Sequence, residues 1–264
     1  MNINEEKFID AQEPTIKPNK LLLIDADIMY YRAAWSAEDY FDFGTPDKKQ
    51  VVQDREVILL FDKLLAGVCK NLNSQAYLLC WTLDHNYRTE IDPMYKANRK
   101  DAPRPACSPS VKEILRGTYP SLEHDGLEAD DLMGLHSGEG RIIVSDDKDL
   151  LTVPGLHYQP RKPYKGVFGV SVSDADYLLH RQILEGDRVD GYKGIPGVGP
   201  KKAEKILTDN GVSWRTILKA YEDYGLHDED ALVTARLARI LRPGEYDWIT
   251  NKPKLWSPED VRTD

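Results

Sequence analysis

Short, unbroken apolar runs punctuate the chain, and each ends on acids. KLLLI at 20–24 runs straight into Asp25 and Asp27, AYLLCW at 76–81 ends close to Asp84, and RIIVS at 141–145 leads into DDKD with Asp147 and Asp149. Apolar runs of this length without alternation predict strands covered on both faces, as in a parallel sheet. Between them the period becomes helical: Val57, Phe61, Leu64, Leu65 and Val68 share one stripe, and MYYRAAW and VKEILRG predict two further helices. Beyond residue 150, LHYQP and VFGVSV predict a hairpin, followed by helices over YLLHRQILEG, KKAEKILTDN, WRTILKAYE and DALVTARLARIL. The expected fold class is α/β: a mostly parallel central sheet flanked by helices over 20–172, a helical part over 173–264, and a polar arm over 1–19. Open sheets of this kind bind ligands beyond the carboxyl ends of their strands, where these acids fall.

Composition narrows the function classes. With 264 residues and 41% hydrophobic content the chain can bury a substantial core. No run approaches the ~18 apolar residues of a membrane span, and the N-terminal segment lacks the apolar core of a signal peptide. A soluble, cytoplasmic protein with no membrane partner is expected. Cys69, Cys80 and Cys107 are odd in number and form no CxxC pair, which excludes a disulfide framework and a thiolate metal site. The net charge of -9 argues at first against nucleic acid, since phosphate binding calls for a basic footprint. Locating the acids weakens that objection. Asp25, Asp84, Glu128, Asp130, Asp131, Asp147, Asp149, Asp187 and Asp190 lie at strand ends or in tight pairs, and these nine equal the whole net charge. Divalent cations bound to them would offset much of it.

Spacing decides which acids can act together. Asp147 and Asp149 share a face if the strand end stays extended, while Glu128 with Asp131, and Asp187 with Asp190, share a face if each pair lies on a helix. Carboxylates this close raise one another's pKa unless a cation neutralises them. Oxygen-only donors, with no HxH or HxxxH spacing among the six His, point to Mg²⁺ or Mn²⁺ rather than zinc. A single Asp-Asp pair is ordinarily a solvated helix face or an N-cap. Four such groups, three of them at or just after buried strands, favour the metal reading.

Two other segments carry chemistry. GIPGVGPKKAEKIL lacks the third Gly of a dinucleotide fingerprint and the GK[ST] of a P-loop. It reads as a tight turn between helices whose N–H groups, with Lys201 and Lys202, can grip a phosphate; a plain structural turn is the alternative. In YKANRK, Lys96, Asn98, Arg99 and Lys100 cluster beside Tyr95, an aromatic placed to stack on a base; simple surface solvation is the other explanation.

The order of these segments is recognisable. Asp25 after a buried strand, Asp84 followed by DPMYKANR, then EADD, SDDKD, GDRVD, GIPGVGPKKA and ARILRPGEYD resembles the flap endonuclease and 5′-to-3′ exonuclease family, above all its short bacteriophage members, over roughly residues 20–250. The resemblance implies a PIN-like nuclease domain with two Mg²⁺ sites, at which Mn²⁺ can substitute. Asp25, Asp84, Glu128 and Asp130 would hold one ion with Asp131 close by, and Asp147, Asp149 and Asp190 the other, with Asp187 acting through water. Lys96 matches the family's active-site lysine, Tyr95 its stacking neighbour, and Arg32 the arginine that steers phosphate. Gly197, Gly199, Lys201 and Lys202 match a helix-hairpin-helix turn that grips duplex DNA, often with K⁺. The implied partners are DNA with a free 5′ end, nick or 5′ flap, and RNA–DNA hybrids, for a monomeric enzyme. One departure stands out. Only 31 residues separate Lys96 from Glu128 and they include Pro103, Pro105 and Pro109, so a short, loose cover is expected in place of an arch of two long helices.

Two rivals remain. A haloacid-dehalogenase-type phosphatase also follows a buried strand with DxD, here Asp25 and Asp27, although Met29 replaces its usual Thr or Val and the mechanism has no use for the Gly/Pro turn. A DNA-end-binding protein without catalysis is the other. Asp27 separates the first from the nuclease, since the phosphatase would need it as general acid.

Overall fold

The computed structural model of the chain describes residues 20–41 and 49–258; the arm expected over 1–19 lies outside them. Leu21–Asp25 forms β1 and Ala26–Ser36 forms α1, with Asp25 as the cap accepting the Ile28 N–H at 3.0 Å. β2 (Asp39–Phe41) and β3 (Lys49–Val51) make a small antiparallel ribbon before α2 (Asp54–Leu72). Asn73, left-handed at φ 47°, ends α2 and turns the chain into β4 (Tyr77–Trp81). After α3 (Arg88–Ile91) the chain makes a 3-10 turn at Ala97–Asp101 and then forms α4 (Ser110–Thr118), β5 (Ser121–Glu123), α5 (Ala129–Leu135) and β6 (Arg141–Val144). The predicted hairpin is present as β7 (Gly155–Tyr158) and β8 (Phe168–Val170).

The main sheet has the order β5-β4-β1-β6-β7-β8, parallel except for β8. Each buried strand alternates between two cores. Leu22, Ile24, Leu79, Trp81, Ile142 and Val144 face α1, α2 and α4, while Leu23, Cys80 and Ile143 face α5. This two-sided burial is why the strands read as continuous apolar runs. From β1 the chain crosses to β4 on one side, whereas from β6 it continues to β7 on the other. The crevice beyond β1 and β6 is therefore the topological switch point of the sheet, and Asp25 stands at its edge.

The helical part follows as α6 (Val172–Glu185), the hairpin β9 (Gly186–Asp187) and β10 (Tyr192–Lys193), α7 (Pro200–Asn210), α8 (Trp214–Asp223) and α9 (Asp228–Ala238). Leu179, Ile183, Ala203, Leu207, Ile217, Tyr221, Ala231 and Ala235 form its own core. A last ribbon, β11 (Tyr246–Asp247) and β12 (Lys252–Pro253), follows a return crossing in which Ile240, Leu241 and Tyr246 pack against α5. Among the described residues no helix is long and apolar enough to cross a membrane.

Two local expectations give way. GDRVD is not helical: α6 stops at Glu185, and Gly186 (φ 69°) lies against Gly194 so closely that a Cβ on either would run into the other's backbone. Asp187 Oδ1 then closes the turn by accepting the N–H groups of Val189 at 2.7 Å and Asp190 at 3.2 Å. SDDKD is not an extended strand end either. Ser145 Oγ accepts the Asp147 N–H at 3.0 Å and Asp147 Oδ1 the Asp149 N–H at 2.8 Å, folding the segment into the 3-10 turn Asp149–Thr152.

Candidate active site

A cavity of about 600 Å³ opens beyond the ends of β1, β4 and β6, and Asp25, Asp84, Glu128, Asp130, Asp147, Asp149 and Asp190 line it. Strand ends deliver Asp25 and Asp84, the N-terminus of α5 delivers Glu128 and Asp130, the folded SDDKD turn delivers Asp147 and Asp149, and the β9–β10 hairpin delivers Asp190. Asp25 is 5% exposed, and its Oδ2 accepts the Ser145 hydroxyl at 2.8 Å.

Desolvation decides the electrostatics. Burial pushes the Asp25 carboxyl up to about 7; the Ile28 N–H and Ser145 hydroxyl counter this in part, and Asp27 and Asp147 add to it. Asp130 is raised well above the usual carboxylate range by desolvation, then by Asp25 and Asp147. Burial and Asp147 likewise raise Asp149. Burial also raises Asp190, although Lys96 and Arg99 pull against it. Glu128 goes the other way: burial opposes its ionisation, but Lys96 and Arg88 outweigh that and hold it below the usual value.

Lys96 Nζ lies 2.5 Å from Glu128 Oε1 and 3.6 Å from Asp190 Oδ2. Its backbone is left-handed (φ 53°), and its N–H is pinned at 2.7 Å by the Asp190 carbonyl. Arg99 is ion-paired to Asp190, and Gln182 Nε2 donates to Asp149 Oδ1 at 2.5 Å. The cover between Lys96 and Glu128 contains the 3-10 turn, a proline-bearing crossing and α4, and among the described residues no long helical pair. Its Arg104, Lys112, Glu113 and Arg116 line the cavity, with Lys112 paired to Asp27 and Arg116 to Glu123.

The donors suit a hard divalent cation: all are oxygen, several are desolvated, and they repel one another. Among the described residues no three such side chains are drawn together tightly enough to hold an ion. Lys96, Arg99 and Lys148 take up part of the charge that a cation would balance.

Four sequence expectations are corrected. Asp131 is fully buried, outside the cavity, and held by Arg88 at 2.6 and 2.8 Å, because its Oδ atoms form the start of α5 and an internal ion pair. Asp187 is spent on its turn and lies 3.4 Å from Lys148 Nζ instead of lining the cavity. Tyr95 is 5% exposed and cannot stack on a base; its hydroxyl donates to Glu128 Oε2 at 3.0 Å. Arg32, two turns along α1, lines a separate groove between α1 and α2 that shares only Asp25 and Ile28 with the cavity. Asn98 braces the hairpin through the carbonyls of Arg188 at 2.9 Å and Val189 at 3.3 Å. Gly197 (φ 75°) and Gly199 shape an exposed turn ahead of Pro200, and Lys201 and Lys202 project from the first turn of α7.

Sequence reasoning missed Arg88 and Lys112. The only signal for Arg88 was a basic residue inside an otherwise ordinary NYRTEI. Lys112 Nζ lies 2.6 Å from Asp27 Oδ1 and 5.5 Å from the Trp81 ring centroid.

Comparison with known proteins settles the family. The family model described as 5′-3′ exonuclease, N-terminal resolvase-like domain, matches residues 20–159. The chain belongs to the 5′-3′ exonuclease family. It is 28% identical over 222 residues to the exodeoxyribonuclease of Enterobacteria phage T3, covering 69% of this chain and 73% of the phage protein. It is 30% identical over 244 residues to the 5′-3′ exonuclease of Mycobacterium tuberculosis, covering 77% and 74%. Its fold is similar to that of the bacteriophage T5 flap endonuclease, solved as a pseudo-enzyme-product complex with DNA and metal ions, at TM-score 0.60 and 15% identity over 84% of this chain and 89% of that one. This 5′-3′ exonuclease family member is accordingly a nuclease.

Proposed function

We propose that this nuclease hydrolyses phosphodiester bonds of DNA at or near a 5′ end, nick or 5′ flap, with Mg²⁺ as its cofactor, and leaves 5′-phosphate products. The observation that carries the proposal is the gathering of seven carboxylates from separate elements at the switch point of the sheet, of which Asp25, Asp130, Asp149 and Asp190 are made harder to ionise by burial and would gain from a bound cation. Asp25, Asp84, Glu128 and Asp130 would hold one ion, and Asp147, Asp149 and Asp190 the other. When bound, such a pair supplies an ionised water and charge neutralisation at the departing oxygen.

The chain's own residues do the rest. Lys96, anchored on Glu128, presents a cation to the phosphoryl oxygens, and Arg99 lies beside it on Asp190. Arg104, on the cover, attracts the strand toward the cavity. The Gly197–Gly199 turn, with Lys201 and Lys202, would grip the duplex backbone as a helix-hairpin-helix element, with K⁺ as its ion. Contacts of this sort read phosphate and junction shape, so little base preference is expected. RNA in hybrids is a further substrate on this reading, and a cytoplasmic monomer is sufficient for it.

Asp27 favours the nuclease over the phosphatase. Its carboxylate accepts the Thr82 N–H at 2.8 Å and pairs with Lys112, so it serves as a tie between α1, β4 and α4. The test is to incubate 5′-labelled nicked, blunt and flapped duplexes with Mg²⁺ and to size the labelled products. Mononucleotides from every substrate indicate exonuclease action, and junction-length fragments indicate flap cleavage. Asp25→Asn should abolish cleavage and Asp27→Asn should retain most of it. No cleavage of any duplex with Mg²⁺ or Mn²⁺ would refute the proposal.

A further inference from the structure

Arg88 opens α3 and is 2% exposed, a rare place for a guanidinium. All five of its N–H groups are engaged. Nε donates to the Leu237 carbonyl at 3.0 Å, Nη1 to Asp131 Oδ2 at 2.6 Å and Glu128 Oε2 at 3.4 Å, and Nη2 to Asp131 Oδ1 at 2.8 Å and the Arg239 carbonyl at 2.6 Å. Two of these acceptors are carbonyls at the C-terminal end of α9, where a cation offsets the negative pole of the helix. The others belong to the two carboxylates that begin α5. Asp131 in turn accepts the Leu241 N–H at 3.1 Å and the Glu128 N–H at 3.2 Å. One planar group thus ties the end of the helical part to the start of α5.

Glu128 is where that tie reaches the cavity. Its Oε1 faces Lys96 at 2.5 Å, while its Oε2 takes the Tyr95 hydroxyl at 3.0 Å and Arg88 from behind. We infer that Arg88 is a positioning residue of the carboxylate cavity: acting on Glu128 directly and through Asp131, it fixes that carboxylate for the cation and makes its position depend on how the helical part docks. The inference rests on the cation-binding reading proposed above. Positive charge alone would not serve, because a lysine offers three donors from a single point and cannot span acceptors on both elements.

The test measures Mn²⁺ binding by titration calorimetry without DNA, for the wild type, Arg88→Lys and the charge-balanced pair Arg88→Met with Asp131→Asn. Circular dichroism and a cooperative melt establish which variants fold. The folded variants should bind Mn²⁺ about tenfold or more weakly, the scale on which groups behind metal ligands act. The Mg²⁺ concentration for half-maximal cleavage should rise by the same factor, while KM for DNA at saturating Mg²⁺ moves less than about twofold. A merely structural role would lower the yield of active protein and leave the affinity of the folded fraction alone. Unchanged Mn²⁺ affinity in a folded variant overturns the inference. Where Arg88→Lys does not fold, the paired variant decides, since it leaves no buried charge alone. A wild type that binds no Mn²⁺ refutes the cation reading itself, which separates the two failures.

Discussion

The two walls of the carboxylate cavity differ in how their charge is balanced. On one, Glu128 and Asp190 meet Lys96 and Arg99, and Asp131 is closed behind them by Arg88. On the other, Asp25, Asp130 and Asp147 face mainly one another, with a hydroxyl and backbone N–H groups for relief. The neighbours Asp130 and Asp131 fall on opposite sides of this divide. The balanced wall is architecture that stands without an ion, and the unbalanced wall costs stability that a bound cation would return. Charge density alone therefore does not show where a cation would return the most stability; unanswered charge does.

The sharpest test of that division is a pair of single substitutions. Asp130→Asn should reduce Mg²⁺-dependent cleavage by more than about a hundredfold, beyond the range for groups behind the ligands, while raising the melting temperature in EDTA by removing a buried carboxyl that ionises freely only in the unfolded chain. Asp131→Asn should instead destabilise the fold by about 3 kcal/mol, because it leaves the Arg88 guanidinium buried without its carboxylate. Denaturant melts and single-turnover cleavage of both variants check this. Matching losses of stability would erase the difference between the walls.

A second, smaller effect follows from pH. In the metal-free protein Asp25 is raised from 3.8 to about 7, so the folded state keeps a proton that the unfolded chain has lost between those values. The stability tied to that proton is fully present below the unfolded value and disappears as pH rises through the folded one. Glu128, lowered by Lys96 and Arg88 against its burial, has the opposite sign and loses stability as pH falls below its ordinary range. Denaturation in EDTA should thus show stability falling from about pH 4 to about pH 7, and excess Mg²⁺ should remove that fall. A flat EDTA profile would mean that the wall around Asp25 is already neutralised.

Much of this geography was legible in the residues. Strands buried on both faces must be apolar throughout, so β1, β4 and β6, and the acids at their ends, could be placed from the pattern alone. What escaped depends on distant partners. Asp130 and Asp131 are indistinguishable in sequence, and only Arg88, 43 positions from Asp131, makes one of them an internal counterion. GDRVD matches helical spacing, but the approach of Gly186 to Gly194 forces a hairpin. Tyr95 sits in a basic surface segment yet turns inward, because its hydroxyl answers Glu128. The short cover was readable from Pro103, Pro105 and Pro109, whose rings do not sit in helix interiors.

The smallest effect expected lies at the turn before α7, where cations face solvent instead of carboxylates. Lys201 and Lys202 are exposed and have no ion pair among the described residues, unlike Lys96 and Arg99. A lysine that meets only phosphate contributes by displacing counterions, so each Lys→Ala change should weaken DNA binding a few-fold and lower the slope of log K against log salt by about 1. Because neither residue reaches the cavity, kcat at saturating DNA should stay within about twofold, the pattern of lost uniform binding. Salt titrations of duplex binding in EDTA, alongside steady-state cleavage in Mg²⁺, separate the two quantities. A fall in kcat with the salt slope unchanged would place these lysines with the cavity's cations and remove the distinction between gripping the duplex and cutting it.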